Sequence, residues 1–436
     1  SRLLSPMNSW NFFRRMRHSS AGVMKGMTVA TCTMGVVGTS FLFQSQDMHS
    51  NTTRCENSKK NTKPTTTRIP SSPPGTKLLF LGSGSSTGCP RPICSLIFPE
   101  DDRYIQDDPR ILQLQKDLAE RCKMSKFASM GDPKTNKNYR NNPSLLISHV
   151  NNDDEEEEGE ARSGNDENRE LRNVIIDVGK TFREGAIRWM PHHGIFSIDG
   201  IVITHEHADA MMGLDDLRGF QQGVYGHSKN SRTHPLPLYL SNNCFETIKM
   251  TFGYLVPKPK QKIQNDDGTP KVIRHVASLD FRTVQHFQPF VVAGLKMIPL
   301  PVIHGEDFIC NGYAFSVKGK KNRDNKNRGM DGKNENENEN ITNVVYLSDI
   351  SRMIPETEKY ILEELPPTDI LVVDSLLQSR KHAVHFNLEE ALELVERLRP
   401  KRTYIVGISC DDFPDHDEAN KIIAERNPTV RLAHDG

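Results

Sequence analysis

The sequence carries no net charge, because 56 Lys and Arg balance 56 Asp and Glu over 436 residues. Nothing in that total draws the chain to nucleic acid or to an anionic membrane surface. Cysteine is sparse and scattered, at positions 32, 55, 89, 94, 122, 244, 310 and 410, with no C-x-C or C-x-x-C pair. That excludes the dense disulfide framework of a small secreted domain and reads as reduced thiols in an intracellular or organellar compartment. Long apolar runs are missing too. Residues 27–43 are uncharged but only reach the minimum length that spans a bilayer, and Thr28, Thr31, Thr33, Thr39 and Ser40 weaken them as a membrane helix. Acids are absent from residues 1–46, where Arg2, Arg14, Arg15, Arg17 and Lys25 stand among Ser, Thr and Met. Such a leader suits organelle targeting, with mitochondrial import favoured over a signal anchor or an inert leader.

Three further stretches cannot build a core. Residues 47–75 form a polar, Pro-containing linker, which places the start of the folded domain at about residue 76. Residues 151–170 include Asp153-Asp154-Glu155-Glu156-Glu157-Glu158, and residues 319–341 carry an Asn-Glu repeat after Lys320-Lys321. Both read as solvated insertions within one domain spanning 76–436. The basic cluster of the second has interleaved acids and no aromatic residues, so it gives no clear nucleic-acid patch.

What remains alternates strands with helices, the pattern of a layered α/β fold. Its chemistry starts at residues 201–220. Ile201 to Thr204 reads as a buried strand and stops at His205-Glu206-His207-Ala208-Asp209. Alternate residues of an extended strand end point the same way, so His205 and His207 converge and Asp209 continues the series. Imidazoles with a carboxylate suit zinc, manganese or iron rather than calcium. Upstream, Leu78 to Leu81 runs into the turn Gly82-Ser83-Gly84-Ser85-Ser86-Thr87-Gly88. This is not a dinucleotide fingerprint: the third glycine is misplaced, and Pro90-Arg91-Pro92 opposes an immediate helix. Further buried strands end in Asp177, Asp349 and Asp374, and Pro301-Val302-Ile303 ends in His304. His382-Ala383-Val384-His385 leads into an amphipathic helix over 388–398, and Arg402 to Ile408 forms a last strand before Cys410. His192 and His193 sit in a Pro/Gly turn and read as surface residues.

The spacing His205-x-His207-x-Asp209 resembles the signature of the metallo-β-lactamase superfamily, with Ala210 where a further His usually stands. Gly213-Leu214-Asp215-Asp216-Leu217-Arg218 resembles a eukaryotic branch related to the cyclic-phosphate phosphodiesterase of phosphonate breakdown and, more distantly, to tRNase Z. The resemblance implies an αββα four-layer sandwich and a metal-dependent hydrolase that uses metal-bound hydroxide on a small phosphodiester. It implies His205, His207, His304 and Asp349 as ligands of a first ion, with Asp209, the bridging Asp349 and Cys410 at a second. It casts Asp209 as orienting the nucleophile, His385 as protonating the leaving group, and Asp177 as supporting the site.

Ala210 and Cys410 leave open whether one or two ions bind, with Zn2+ favoured over Mn2+. His416 is a substitute donor for the second ion. Relatives' cysteines beyond the first turn can hold a structural zinc, but Cys89, Cys94 and Cys122 lack the close spacing of a chelating knuckle and read as ordinary thiols. Thioester or lactone hydrolysis is the alternative chemistry, and a metal-binding scaffold that has lost catalysis the alternative class. Membrane association would require residues 27–43 to act as an anchor.

Overall fold

The structure, a computed structural model, describes residues 76–97, 108–150, 171–221, 235–257, 276–319 and 341–436. The expected leader, linker and acidic insertion lie outside them, as does all but the two ends of the Asn/Glu-rich insertion.

Six strands form the first sheet in the spatial order β1 to β6: β1 (Lys77–Gly82), β2 (Ser144–Val150), β3 (Leu171–Ile176), β4 (Gly200–Val202), β5 (Leu236–Leu240) and β6 (Leu279–Thr283). Seven form the second: β7 (Phe290–Val292), β8 (Leu295–Ile303), β9 (Ile309–Lys318), β10 (Ile341–Leu347), β11 (Ile370–Asp374), β12 (Arg402–Val406) and β13 (Val430–Leu432). In each sheet one half is antiparallel and the other parallel.

The apolar runs are continuous because both faces of each sheet are covered, and side chains alternate between two cores. Leu145, Ile147, Val174, Ile176 and Val202 of the first sheet meet Met297, Tyr313, Phe315, Val344, Tyr346 and Val372 of the second between the sheets. Their neighbours Leu146, Ile175 and Ile201 point outward, joined by Phe182, Ala186 and Ile248 of helices α4 (Phe182–Trp189) and α6 (Asn242–Thr251). On the far side Val345, Leu347, Leu371, Val373 and Ile405 pack under α7 (Pro355–Glu363), α8 (Leu388–Leu398) and α9 (His416–Arg426). Helix, sheet, sheet, helix: this is the four-layer sandwich that the sequence reading anticipates.

The remaining helices α1 (Pro92–Ile97), α2 (Pro109–Arg121) and α3 (Lys123–Ala128) follow the Gly-rich turn, and the single-turn α5 (Ala208–Met211) follows β4. Pro92 opens α1 rather than preventing it, since a proline at the first helical position gives up only an N–H that has no partner there anyway. Helix α8 coincides with the expected span. Asn387 accepts from the Glu390 N–H at 3.0 Å and Glu390 returns a bond to the Asn387 N–H at 3.0 Å, a reciprocal cap that fixes its start.

A buried cation closes the C-terminal strand. The Arg140 guanidinium donates to Ser83 Oγ at 2.7 Å, to the Ala433 carbonyl, and to His416 Nδ1 at 2.9 Å. His416 is therefore committed here and not at the metal ligands, which corrects its reading as a substitute donor. Burial, and then the Arg140 charge, push its imidazole down to about 3. A depressed histidine contributes stability that is present above the unfolded value near 6.5 and is lost as pH falls toward the folded value. Asp435, pushed up to about 7 chiefly by burial, contributes with the opposite sign. The comparison that isolates the histidine is His416→Asn, whose amide oxygen can still accept from Arg140. Denaturant melts at pH 7.5 and 5.5 should show the native chain losing about 1.4 kcal/mol more than this variant.

Candidate metal centre

Strand β4 ends at Val202, so the histidines leave the sheet on a short extended segment before α5. His207 caps that helix with extended backbone, φ −79° and ψ 162°. Asp209 does not continue the strand alternation, as the sequence reading has it. It returns from the first turn of α5 instead, because the loop 177–180 pulls the helix down: Val178 N–H bonds the Ala210 carbonyl at 2.7 Å and Gly213 N–H bonds the Val178 carbonyl at 2.8 Å. Gly179 permits that approach, since a Cβ there would stand 1.8 Å from the Asp209 carbonyl oxygen.

The three expected imidazoles meet. His205 and His207 rings are 4.6 Å apart, His205 and His304 5.3 Å, and His207 and His304 5.2 Å. One donor nitrogen from each lies within 4.8 Å of the others, as do the donor atoms of His205, Asp209 and Asp349, and those of His304, Asp349 and His385. Phe308 stacks on His207 at 4.8 Å and 10° and holds the most exposed of the three rings.

Hydrogen bonds fix two of the tautomers. Asp177, with Oδ1 accepting from the Thr204 N–H at 2.8 Å and Oδ2 from Thr204 Oγ1 at 2.8 Å, uses the only proton of that hydroxyl. Thr204 Oγ1 must then accept from His205 Nδ1, 2.8 Å away, which leaves His205 Nε2 as a bare lone pair. That nitrogen is buried, finds no partner among the described residues and stands 4.0 Å from Asp209 Oδ1. His304 Nδ1 donates to the Val384 carbonyl at 2.7 Å, so its Nε2 is bare as well. Burial pushes the His205 imidazole down to about 4 and lowers that of His304. Neutral, oriented imidazoles with bare lone pairs, that of His205 buried and unpartnered, beside carboxylates are what a divalent ion of zinc type requires.

Asp177 reaches the three imidazoles through Thr204 and His205. Thr204→Val keeps the shape of this buried residue and deletes the relay. It should weaken zinc binding 10- to 100-fold, read by competition with a chromophoric chelator.

The carboxylates differ. Burial opposes ionisation of Asp349, but His205, His385 and His304 together hold it below its ordinary value. Asp209 is pushed up to about 7 by burial and by the Asp349 charge. His385 Nδ1 donates to Asp374 Oδ2 at 2.6 Å and stands 4.0 Å from Asp349 Oδ1. Burial works against its charged form, yet Asp374, Asp349 and Asp209 raise it to about 9. His385 is thus bonded to a buried acid and is not merely a polar residue before a helix. Asp374, at the end of β11, was visible in the sequence as an acid after an apolar run; its partnership with His385 was not.

Cys410 is absent from this constellation. Its sulfur groups instead with those of Cys94 and Cys122, all within 4.8 Å of one another. Cys89 adjoins this group of three: its thiol interacts with Cys410 and lies 4.0 Å from Ser125 Oγ. Hydrogen bonds from the thiols of Cys122, Cys89 and Cys94 hold Cys410 far below the usual thiol range. Arg91 Nη2 also donates to Cys122 Sγ at 3.4 Å. Two expectations are corrected together. Cys410 is not a donor for a second ion beside the histidines, and Cys89, Cys94 and Cys122 are not isolated thiols. Spacing misleads here because tertiary contacts do the gathering: Ser85 N–H bonds the Ile408 carbonyl at 3.1 Å, joining the Gly-rich turn to the loop after β12.

Residues 172–408 match the family described as the β-lactamase superfamily domain. The chain belongs to the metallo-β-lactamase superfamily. Within this superfamily the chain is similar to the crystal structure of a new diphosphatase from the PhnP family, at 26% identity and a TM-score of 0.50, over 83% of this chain and 96% of that one. It is also similar to the Zn2+-bound PqqB of Methylobacterium extorquens, at 15% identity and a TM-score of 0.49, over 82% and 98%. An octanoyltransferase of Porphyromonas gingivalis is 24% identical over 265 residues, 61% of this chain. The chain spans only 42% of that relative's length. The chain is thus a superfamily member whose clustered His and Asp side chains could hold a metal ion, and the reaction it runs is the next question.

Proposed function

We propose that the protein is a metal-dependent phosphodiesterase acting on a small phosphodiester, with His205, His207, His304 and Asp349 holding a divalent ion, Zn2+ before Mn2+. The observation that carries this is the Asp374–His385 pair beside the three imidazoles: a proton donor held where a leaving group would depart. Likeness to a diphosphatase favours phosphoryl over acyl chemistry.

When bound, a divalent ion supplies a Lewis acid that acidifies water and stabilises anionic oxygen. The chain's own residues do the rest. The Asp209 carboxylate orients the attacking water. Asp374 anchors His385 through Nδ1 and sustains its charged form, which leaves Nε2 to give a proton to the departing oxygen. Thr204 and the Val384 carbonyl aim the two buried ligand imidazoles, and burial keeps them neutral.

Turnover of bis(p-nitrophenyl) phosphate should vanish on chelation, return with added Zn2+ or Mn2+, be lost in His207→Ala and fall by about 100-fold in His385→Ala. Activity undiminished in both variants would sink the assignment. Hydrolysis of a thioester or lactone in its place would transfer the same residues to acyl chemistry.

The four thiols form a separate donor set. Soft thiolates select zinc, and a closed all-thiolate tetrahedron is a structural arrangement rather than a catalytic one. A zinc ion there would tie the Gly-rich turn, the α1–α3 region and the loop after β12 into one unit.

A further inference from the structure

At the end of the sandwich away from the metal centre, two cavities share one wall. We infer that together they form a second, non-catalytic site for a mononucleotide, with Arg402 and Arg431 taking its phosphate and Tyr404 and Phe80 its base. The site goes beyond the phosphodiesterase reading and does not depend on it.

Strands β10 to β13 run parallel, and Asp349 and Asp374 stand just past β10 and at the C-terminal end of β11. Arg402 opens β12, so it lies at the opposite end, about 13 Å of extended strand away. The register sets Tyr404 beside Arg431. Side chains alternate along a strand, so Arg402, Tyr404 and Arg431 share one face. That face is turned toward the first sheet, where the Tyr404 ring meets the Phe80 ring of β1 at 5.8 Å. Strand spacing puts the two arginines about 8 Å apart at their Cα atoms, on either side of the tyrosine's position.

With Lys401, these residues line a cavity of about 330 Å³. Tyr404 is also a wall of the neighbouring cavity of about 370 Å³, whose lining includes Lys77, Leu78, Phe80 and His193. Each is large enough for part of a small ligand, and the pair for a whole one.

The charge is one-sided. No Asp or Glu lines either cavity. Asp369 answers Lys401 at 2.6 Å, but Arg402 and Arg431 form no ion pair among the described residues. Lys77 Nζ donates to the His193 carbonyl at 3.3 Å, an uncharged partner. Burial lowers the Lys77 ammonium, and burial followed by the Lys77 charge lowers the His193 imidazole. Cations gathered without a counter-charge suit an anion, and guanidinium forks suit phosphate above other anions.

The rest of the lining decides between phosphates. Leu78, Phe80 and Tyr404 are only half-buried, an apolar and aromatic wall that inorganic phosphate would leave unused. A base can lie against it by stacking. A nucleic-acid strand needs successive platforms along a track, whereas these two rings already touch each other and offer one.

The test is calorimetric titration of the full chain with AMP, a monoester that a phosphodiesterase leaves intact. AMP should bind at one site, and Arg402→Ala/Arg431→Ala should weaken it about 100-fold, the loss of charged hydrogen bonds. Both arginines are exposed, so Tm and turnover of bis(p-nitrophenyl) phosphate should not change in that variant. Tyr404→Leu should weaken AMP about 10-fold and leave inorganic phosphate unaffected. Binding should survive in His207→Ala, which breaks the metal centre. Equal affinity in the arginine variant would overturn the inference, as would loss of AMP binding in His207→Ala. So would a chain that binds single-stranded oligouridylate but no AMP, since the cleft would then serve a polymer. Failure of the phosphodiesterase assay leaves each of these titrations readable, so the two readings fail separately.

Discussion

His385→Ala is expected to lower kcat for bis(p-nitrophenyl) phosphate by about 10²- to 10⁴-fold, the range that a positioned proton donor contributes. The p-nitrophenolate leaving group needs little protonation, so the loss should sit near the low end there and grow with poorer leaving groups. That dependence on leaving group separates proton donation from a structural role, since a misfolded variant would lose all substrates alike. Asp374→Asn should follow the same pattern more weakly. An amide retains a contact with His385 Nδ1 but removes the adjacent charge that sustains the imidazolium. KM should change little in either variant, because neither side chain belongs to the imidazole triad proposed to hold the ion. Equal loss on all leaving groups would make His385 a part of the scaffold.

Much of this centre was legible before any coordinates. His205, His207, His304 and Asp349 each lie within a few residues of the end of a strand whose apolar run is broken by polar residues, so local pattern was enough. Helix α8 was legible to the residue because its cap, Asn387 with Glu390, is written within four positions. Asp209 was placed correctly at the site but for the wrong reason, since strand alternation does not survive the pull of the 177–180 loop. Strand β9 and helices α4, α7 and α9 went unnoticed; their apolar residues are interrupted, and partners elsewhere in the chain complete their burial.

The cysteines show the limit most clearly. A zinc knuckle written in one segment announces itself through spacing, whereas Cys89, Cys94, Cys122 and Cys410 come together through the fold. The structure exposes a set that no window of sequence contains. The same contact that places Cys410 among the thiols removes it from the catalytic donors, so a single misplacement accounts for both corrections.

Cys94→Ser/Cys410→Ser is expected to cost the chain one zinc ion and much of its stability. Apparent binding energies of structural zinc in small fingers reach about 10–16 kcal/mol, all of it coupled to folding. Here two packed sheets persist without the ion, so the loss should fall well below that range and appear as a lowered Tm together with protease sensitivity. Cleavage should localise to the segments that the thiols join, around residues 89–122 and 407–412, while the sheets resist.

The effect should also reach the catalytic loop. Asp412 accepts from the Ser379 and Arg380 N–H groups at 2.7 and 3.2 Å, and Ser409 N–H bonds the Leu376 carbonyl at 3.0 Å. The loop that carries His385 is therefore fastened to the residues flanking Cys410. The double variant should keep the ion at the histidines yet lose kcat, because His385 would be held less firmly against Asp374. Metal analysis and kinetics on the same preparation separate this from loss of the catalytic ion. An unchanged Tm with unchanged zinc content would mean that the four thiols hold no metal.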